Sequence, residues 1–256
     1  MPTEAITIAT TRGHSLSGAL EVPEGKVRGA ALFAPCFTCT KQSRAAVAIS
    51  RALAGHGFAC LRFDFTGLGE SGGAFGEAGF ESDVADVAAA AEALGDRYPG
   101  PMLLVGHSLG GAAVLDAVDD IGEGRVAAVA TIGAPAEVPH VLGNIKGDLA
   151  AIEREGEGPV TIGGRVFSLE KEFLERARRA DLLGAVKKLR MPLMICHSPI
   201  DSVVGVENAG LLFEAAKHPK SFLSLGRADH LLTDTADAEY VAGVIAAWAQ
   251  RYLASD

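Results

Sequence analysis

Several things are missing from this chain, and each absence narrows what it does. The 256 residues carry 23 Lys and Arg against 32 Asp and Glu, a formal charge of −9, and no block of basic residues. An electrostatic footprint for a phosphate backbone is therefore lacking, and nucleic acid is not expected as a partner. No stretch approaches the 18 or more apolar residues of a membrane span, and the N-terminus, with Glu4 among alternating apolar residues, has no basic region followed by an apolar run. Neither a membrane nor an export signal is expected. Cysteine occurs four times, too few for a disulfide framework at this size, and Cys36, Cys39, Cys60 and Cys196 suit a reducing cytoplasm. No second Cys or His pair lies at ligand spacing, so no metal is expected. Repeats, low-complexity tracts and Ser/Pro-rich linkers are also absent, which leaves one domain over residues 1–256.

Apolar residues at 48% and charged residues at 21% give a globular profile, and 31 glycines point to many tight turns. Thr3 to Thr10 and Ser15 to Val22 alternate apolar and polar around Arg12-Gly13-His14, the pattern of an antiparallel hairpin. From residue 29 the pattern changes to continuous apolar runs, GAALFAPC, ACLRFDF, MLLVGH, VAAVATIGAP, MPLMICHS and SFLSLG, separated by helical stretches. Such runs fit strands buried on both faces of a doubly wound, mostly parallel α/β sheet. One interval breaks the alternation. Residues 136–190 are far longer than an ordinary connection and are expected to form a small helical cap, with Leu169, Phe173, Leu174 and Ala177 on one amphipathic face. Val138, Val141, Leu142 and Ile145 in its first half are candidates for a substrate pocket.

The strongest chemical signal is Gly106-His107-Ser108-Leu109-Gly110, a G-x-S-x-G between an apolar strand and a helix. A sharp strand-to-helix turn of this kind lifts Ser108 above the sheet, and the helix aims its free amides at the same point. A serine needs a base, and the base needs a carboxylate to orient it. His230 follows the last apolar strand, and Asp201 follows the strand before it. His107 and His197 lie at strand ends and are expected to be packing or supporting groups. Asp64, after the run ACLRFDF, is the rival acid and is expected instead to brace loop amides.

With GHSLGG at 106–111, FDFTGLGES at 63–71, HSPIDSVV at 197–204 and RADHLL at 227–232, the chain resembles the α/β-hydrolase superfamily along nearly its whole length. LFAPCFTCTKQS at 32–43 resembles, more narrowly, the hydrolase module found fused to OsmC-like domains in bacterial proteins. Ending at Asp256, the chain is expected to be a stand-alone member or the hydrolase part of a longer protein. Where the superfamily usually has His-Gly after the third strand, this chain has Pro35-Cys36-Phe37, and the resemblance implies oxyanion donors at the backbone N–H groups of Phe37 and Leu109.

These features lead to a cofactor-free serine hydrolase cleaving a small carboxylic ester through an acyl-enzyme. Ser108 is the nucleophile, His230 the base and Asp201 the orienting acid. A peptidase or amidase would use the same machinery. Two readings come from other classes. Cys36-Phe37-Thr38-Cys39 is a C-x-x-C between strand and helix, as in thiol–disulfide proteins. A ligand-binding pseudo-hydrolase would keep the fold without turnover.

Overall fold

The computed structural model describes residues 2–76, 79–162 and 164–253. Strands β1 (Thr3–Ala9) and β2 (Ser15–Glu21) form the expected hairpin, and β2 continues antiparallel onto β4 (Phe58–Phe63). The remaining neighbours, β3 (Gly29–Ala34), β5 (Met102–His107), β6 (Val126–Ile132), β9 (Leu193–His197) and β10 (Lys220–Ser224), run parallel in the order β1-β2-β4-β3-β5-β6-β9-β10. All residues of β4, β5, β6 and β9 are buried, which explains their unbroken apolar runs.

Helices cover both faces. On one side α1 (Arg44–Gly55) and α9 (Thr235–Leu253) bury Ile49, Leu53, Val241 and Ile245. On the other lie α2 (Phe80–Arg97), α3 (Leu109–Asp116) and α8 (Glu207–Ala215). Their core face runs through Phe80, Val84, Val87, Ala91 and Leu94 at helical spacing on α2, with Val114 and Leu212 beside it. Glu81 in the first turn of α2 and Arg97 in its last complement the helix dipole. Helix α3 stops before Ala117, beyond which a short α4 (Val118–Ile121) follows.

Arg62 is a charged side chain in the middle of a buried strand, and its neighbours explain how it is tolerated. It donates to Glu21 (2.6 Å), Ser50 (2.9 Å) and the Lys41 carbonyl (2.7 Å), so every group around it answers the guanidinium.

The 136–190 insertion is partly β where helices alone were expected. After a 3₁₀ turn (Val138–Asn144) and α5 (Leu149–Glu155), β7 (Glu157–Ile162) pairs antiparallel with β8 (Arg165–Glu170). Leu169 therefore lies within a strand instead of on a helical face. Phe173, Leu174 and Ala177 are the buried face of α6 (Lys171–Arg179), and α7 (Leu182–Lys188) feeds Leu182 and Val186 into the main core. The hairpin, α5 and α6 enclose a separate apolar cluster of Ile145, Ile152, Val160, Ile162, Leu169, Phe173 and Leu174.

A second departure concerns the cysteines. Cys36 and Cys39 are joined by a disulfide, their Cα atoms 5.1 Å apart within a turn closed by Cys39 N–H donating to the Cys36 carbonyl (2.9 Å). Four cysteines in a reducing compartment were expected to form no disulfide framework, whereas the C-x-x-C spacing, read as a thiol–disulfide pair, does place these two in one bond. Cys60 and Cys196 are buried thiols, and burial pushes Cys60 up to about 12. Among the described residues no helix is long and apolar enough to cross a membrane.

Candidate active site

The strand ends converge on Ser108. Its backbone has φ 55° and ψ −123°, a region an L-residue occupies only when its surroundings dictate it. The glycines around it have steric reasons. A Cβ on Gly106 would lie 2.3 Å from the Gly110 carbonyl oxygen, and one on Gly110 would lie 2.3 Å from the Pro35 carbonyl oxygen. Gly111 would meet the Ala134 side chain at 2.7 Å. Helix α3 thus packs against β5 and the end of β3 at distances that leave no room for a side chain. The register Ala34 to Gly106 brings the loop after β3 past the first turn of α3. Leu109 opens that helix, so its amide is among those without an intrahelical acceptor.

His230 reaches Ser108 from the loop after β10. Its Nε2 lies 3.0 Å from Ser108 Oγ, and its Nδ1 lies 2.7 Å from Asp201 Oδ2. Facing a carboxylate, Nδ1 carries the proton and donates; Nε2 is then the acceptor for the Ser108 hydroxyl. Asp201 is held in turn by the amides of Val203 and Val204, each donating to Oδ1 at 2.9 Å. Burial alone would raise its carboxyl, but the hydrogen bonds from His230, Val204 and Val203 outweigh it and hold the group below its ordinary value. Gly133, at φ +57°, follows β6 next to this pair; a Cβ there would lie 3.4 Å from both Asp201 Oδ2 and His230 Nδ1. The arrangement can move a proton from a serine hydroxyl to an imidazole whose opposite nitrogen is anchored on an anion.

Two further histidines support these loops. His107 Nε2–H donates to the His230 carbonyl (2.7 Å), and burial, followed by the proximity of His230, pushes His107 down to about 4, so its ring is neutral. His197 Nε2–H donates to the Val204 carbonyl (2.9 Å), and its Nδ1 is buried without a hydrogen-bond partner. The carbonyls of the base loop and the acid loop are thereby each fixed by a buried imidazole. Asp64 does what was expected of it, accepting from the amides of Lys41 (2.6 Å) and Glu70 (3.0 Å) and from Lys41 Nζ (2.7 Å). Burial would lower the Lys41 ammonium; its contacts to Asp64 and Glu70 raise it instead.

The pocket candidates separate. Val138 is fully buried in the main core and Ile145 is buried in the insertion's cluster, so neither presents surface to a ligand. The side chain of Val141 lies outside the described residues. Leu142 is half-buried against both clusters. Three exposed apolar residues adjoin Asp201 and His230 in the chain and were not singled out by sequence. Ile200 (59% exposed) and Val203 (39%) flank Asp201, and Leu231 (51%) follows His230. Their adjacency to the two polar residues was the available signal. The insertion touches this edge through His140, whose Nε2–H donates to the Val203 carbonyl (3.0 Å). It also meets Phe37, whose ring lies 5.7 Å from Phe75 and 6.2 Å from Phe173. Among the described residues no group of three or more His, Cys, Asp or Glu is placed to hold a metal ion.

Residues 25–155 match the model of the serine aminopeptidase S33 family. The esterase domain of a Rhodothermus marinus protein is 45% identical, with a TM-score of 0.80, over 99% of this chain and the whole of that one. Mitochondrial palmitoyl-protein thioesterase ABHD10 of Rattus norvegicus is 26% identical over 214 residues, 80% of this chain and 70% of that protein. Against the Homo sapiens counterpart, 27% identical, the chain spans 57% of its length.

Proposed function

From the premise that the chain belongs to the serine aminopeptidase S33 family and has the α/β-hydrolase fold, we propose that it is a serine esterase working through an acyl-enzyme. The observation that carries this reading is the continuous chain from Ser108 Oγ through His230 (3.0 Å) to Asp201 (2.7 Å). Ser108 attacks the ester carbonyl as His230 Nε2 takes its proton. Asp201 keeps the ring oriented and stabilises the imidazolium. The amides of Phe37 and Leu109 receive the oxyanion, and His230 returns the proton to the departing alcohol. Water then repeats the sequence on the acyl-enzyme and releases the acid.

An ester is favoured over a peptide because the 45%-identical relative is an esterase domain, although the family takes its name from aminopeptidases. The thioesterase relative makes acyl thioesters the second substrate class, since the same acyl-enzyme serves both. The segment LFAPCFTCTKQS at 32–43 is what supports placing this chain with the hydrolase modules found beside OsmC-like domains. The test is hydrolysis of p-nitrophenyl esters from acetate to octanoate, beside an acyl thioester and aminoacyl-amides. In Ser108→Ala, kcat falls by about 10⁴-fold or more with the circular dichroism spectrum unchanged. A folded variant keeping most of its activity overturns the reading.

A further inference from the structure

The C-x-x-C motif plays no part in the acyl-transfer chemistry, yet its disulfide brackets Phe37, a residue assigned to it. Cys36 and Cys39 are positions one and four of a turn whose second residue is Phe37 and whose third is Thr38. Thr38 has φ 62°, in the left-handed region. The third position of such a turn normally belongs to Gly or Asn, and a β-branched residue there is strained. Something must hold the backbone in that state. The Cys39 N–H to Cys36 carbonyl bond closes the turn from inside, and the disulfide closes it through the side chains. Other contacts grip less. Arg165 Nη1 reaches the Thr38 carbonyl only at 3.5 Å, and the packing of the Phe37 ring on Phe75 and Phe173 acts on the side chain and not on the peptide. Cys36 is buried and Cys39 half-buried, so one sulfur of the bond is open to attack from solvent.

We propose that Cys36–Cys39 is a reversible thiol–disulfide site that tunes turnover by setting the geometry of the Phe37 amide. This rests on the esterase reading above. A small dithiol supplies the electrons. One of its thiolates attacks Cys39 Sγ, the S–S bond breaks, and Cys36 leaves as a thiolate that takes up a proton. The second thiol of the reductant then attacks the mixed disulfide, releasing Cys39 as a thiol and the reductant as its own disulfide. Two electrons and two protons pass to the protein, and a disulfide oxidant reverses the exchange. Once reduced, the turn loses its side-chain closure, Thr38 relaxes toward negative φ, the Cys39 N–H to Cys36 carbonyl bond opens with it, and the Cys36–Phe37 peptide that carries the Phe37 N–H is no longer held toward the oxyanion.

The experiment compares oxidised and dithiothreitol-treated protein, counting thiols by alkylation in denaturant and measuring kcat on p-nitrophenyl butyrate. Oxidised protein is expected to show two thiols, from Cys60 and Cys196, and reduced protein four. Reduction should lower kcat about 3- to 10-fold, less than outright loss of an oxyanion donor, and reoxidation should restore it. Cys36→Ser/Cys39→Ser should be fixed near the reduced rate and ignore the reductant. Thr38→Asn, which accepts positive φ readily, should keep its oxidised rate when reduced. Four thiols in the oxidised protein, no gain of thiols under reductant, an equal or higher kcat after two thiols are gained, or a Thr38→Asn that falls as far as the wild type would each overturn the proposal. Failure of the esterase reading is separate, because it shows as activity surviving in Ser108→Ala.

Discussion

The edge of the sheet around Ser108 and the insertion at 136–190 are built on different terms. At the sheet edge nearly every backbone position is decided from more than one side. Gly106 and Gly110 are in contact with opposing backbone, and Ser108 keeps its strained φ because β5, α3 and the end of β3 converge on it. The insertion has a small cluster of its own, with Val160, Phe173 and Leu174 at its centre, and holds the site through single contacts such as His140 to Val203. Chemistry demanding sub-ångström placement is carried by the first region; the second is joined to it by a few side chains. The comparison predicts where substitutions act on turnover and where only on stability.

The largest contrast lies between two aspartates. Asp201→Asn should lower kcat by about 10²- to 10⁴-fold with little loss of stability, because the amide can no longer anchor the protonated Nδ1 of His230. Asp64→Asn should do the reverse. It removes a partner from a buried Lys41, costing about 3 kcal/mol in urea titration while kcat stays within tenfold. Reversed outcomes would move the orienting acid to Asp64. Gly110→Ala follows in size. Its new Cβ meets the Ala34 and Pro35 carbonyls, and kcat should fall about 10²-fold in whatever folds, whereas Gly143→Ala, with open space around it, should change neither rate nor stability.

A third effect is read in pH. His107 titrates near 4 in the folded chain, against about 6.5 when unfolded. Between those values the unfolded chain takes up a proton that the folded one refuses, so stability is lost as pH falls from about 6.5 to 4. The loss reaches about 3 kcal/mol at and below pH 4. His107→Gln retains a donor for the His230 carbonyl without the titration, and should lose about that much less than the wild type in urea melts at pH 7 and pH 4. Equal losses would remove His107 from the acid response. The smallest effect concerns substrate choice. Leu231→Ala should shift kcat/KM across the ester series by up to about 0.8 kcal/mol per methylene, and Leu142→Ala by less, since only part of it is exposed. A larger shift from Leu142→Ala would return specificity to the insertion.

What the sequence made legible follows the same division. Buried parallel strands write themselves as apolar runs, and the strand–turn–helix context of GHSLG admits few alternatives, so the sheet and the approach of Asp201 and His230 to Ser108 could be read directly. The insertion was read as helical because Phe173, Leu174 and Ala177 do have helical spacing. The hairpin before them was signalled by two alternating runs, GPVTI and RVFSL, around Gly163-Gly164, but their short length let the helical periodicity dominate. Val138 looked like a pocket residue for want of any pattern distinguishing an apolar side chain that faces a ligand from one that faces the core. The C-x-x-C spacing signalled that Cys36 and Cys39 could pair, but spacing alone does not say whether the pair is bonded.

The hydrogen bond between Ser108 and His230 joins residues 122 positions apart, and the one between His230 and Asp201 spans 29. A ribosome must therefore release His230 before the proposed hydrolysis can begin, long after the hairpin and first helix have left the tunnel. That proposed activity would consequently be a clock for the last stage of assembly. Trp248, the only tryptophan, belongs to α9 and keeps separate time, since its fluorescence follows the docking of that helix on α1. Refolding followed by both signals would give the interval between closing one face of the sheet and completing its working edge.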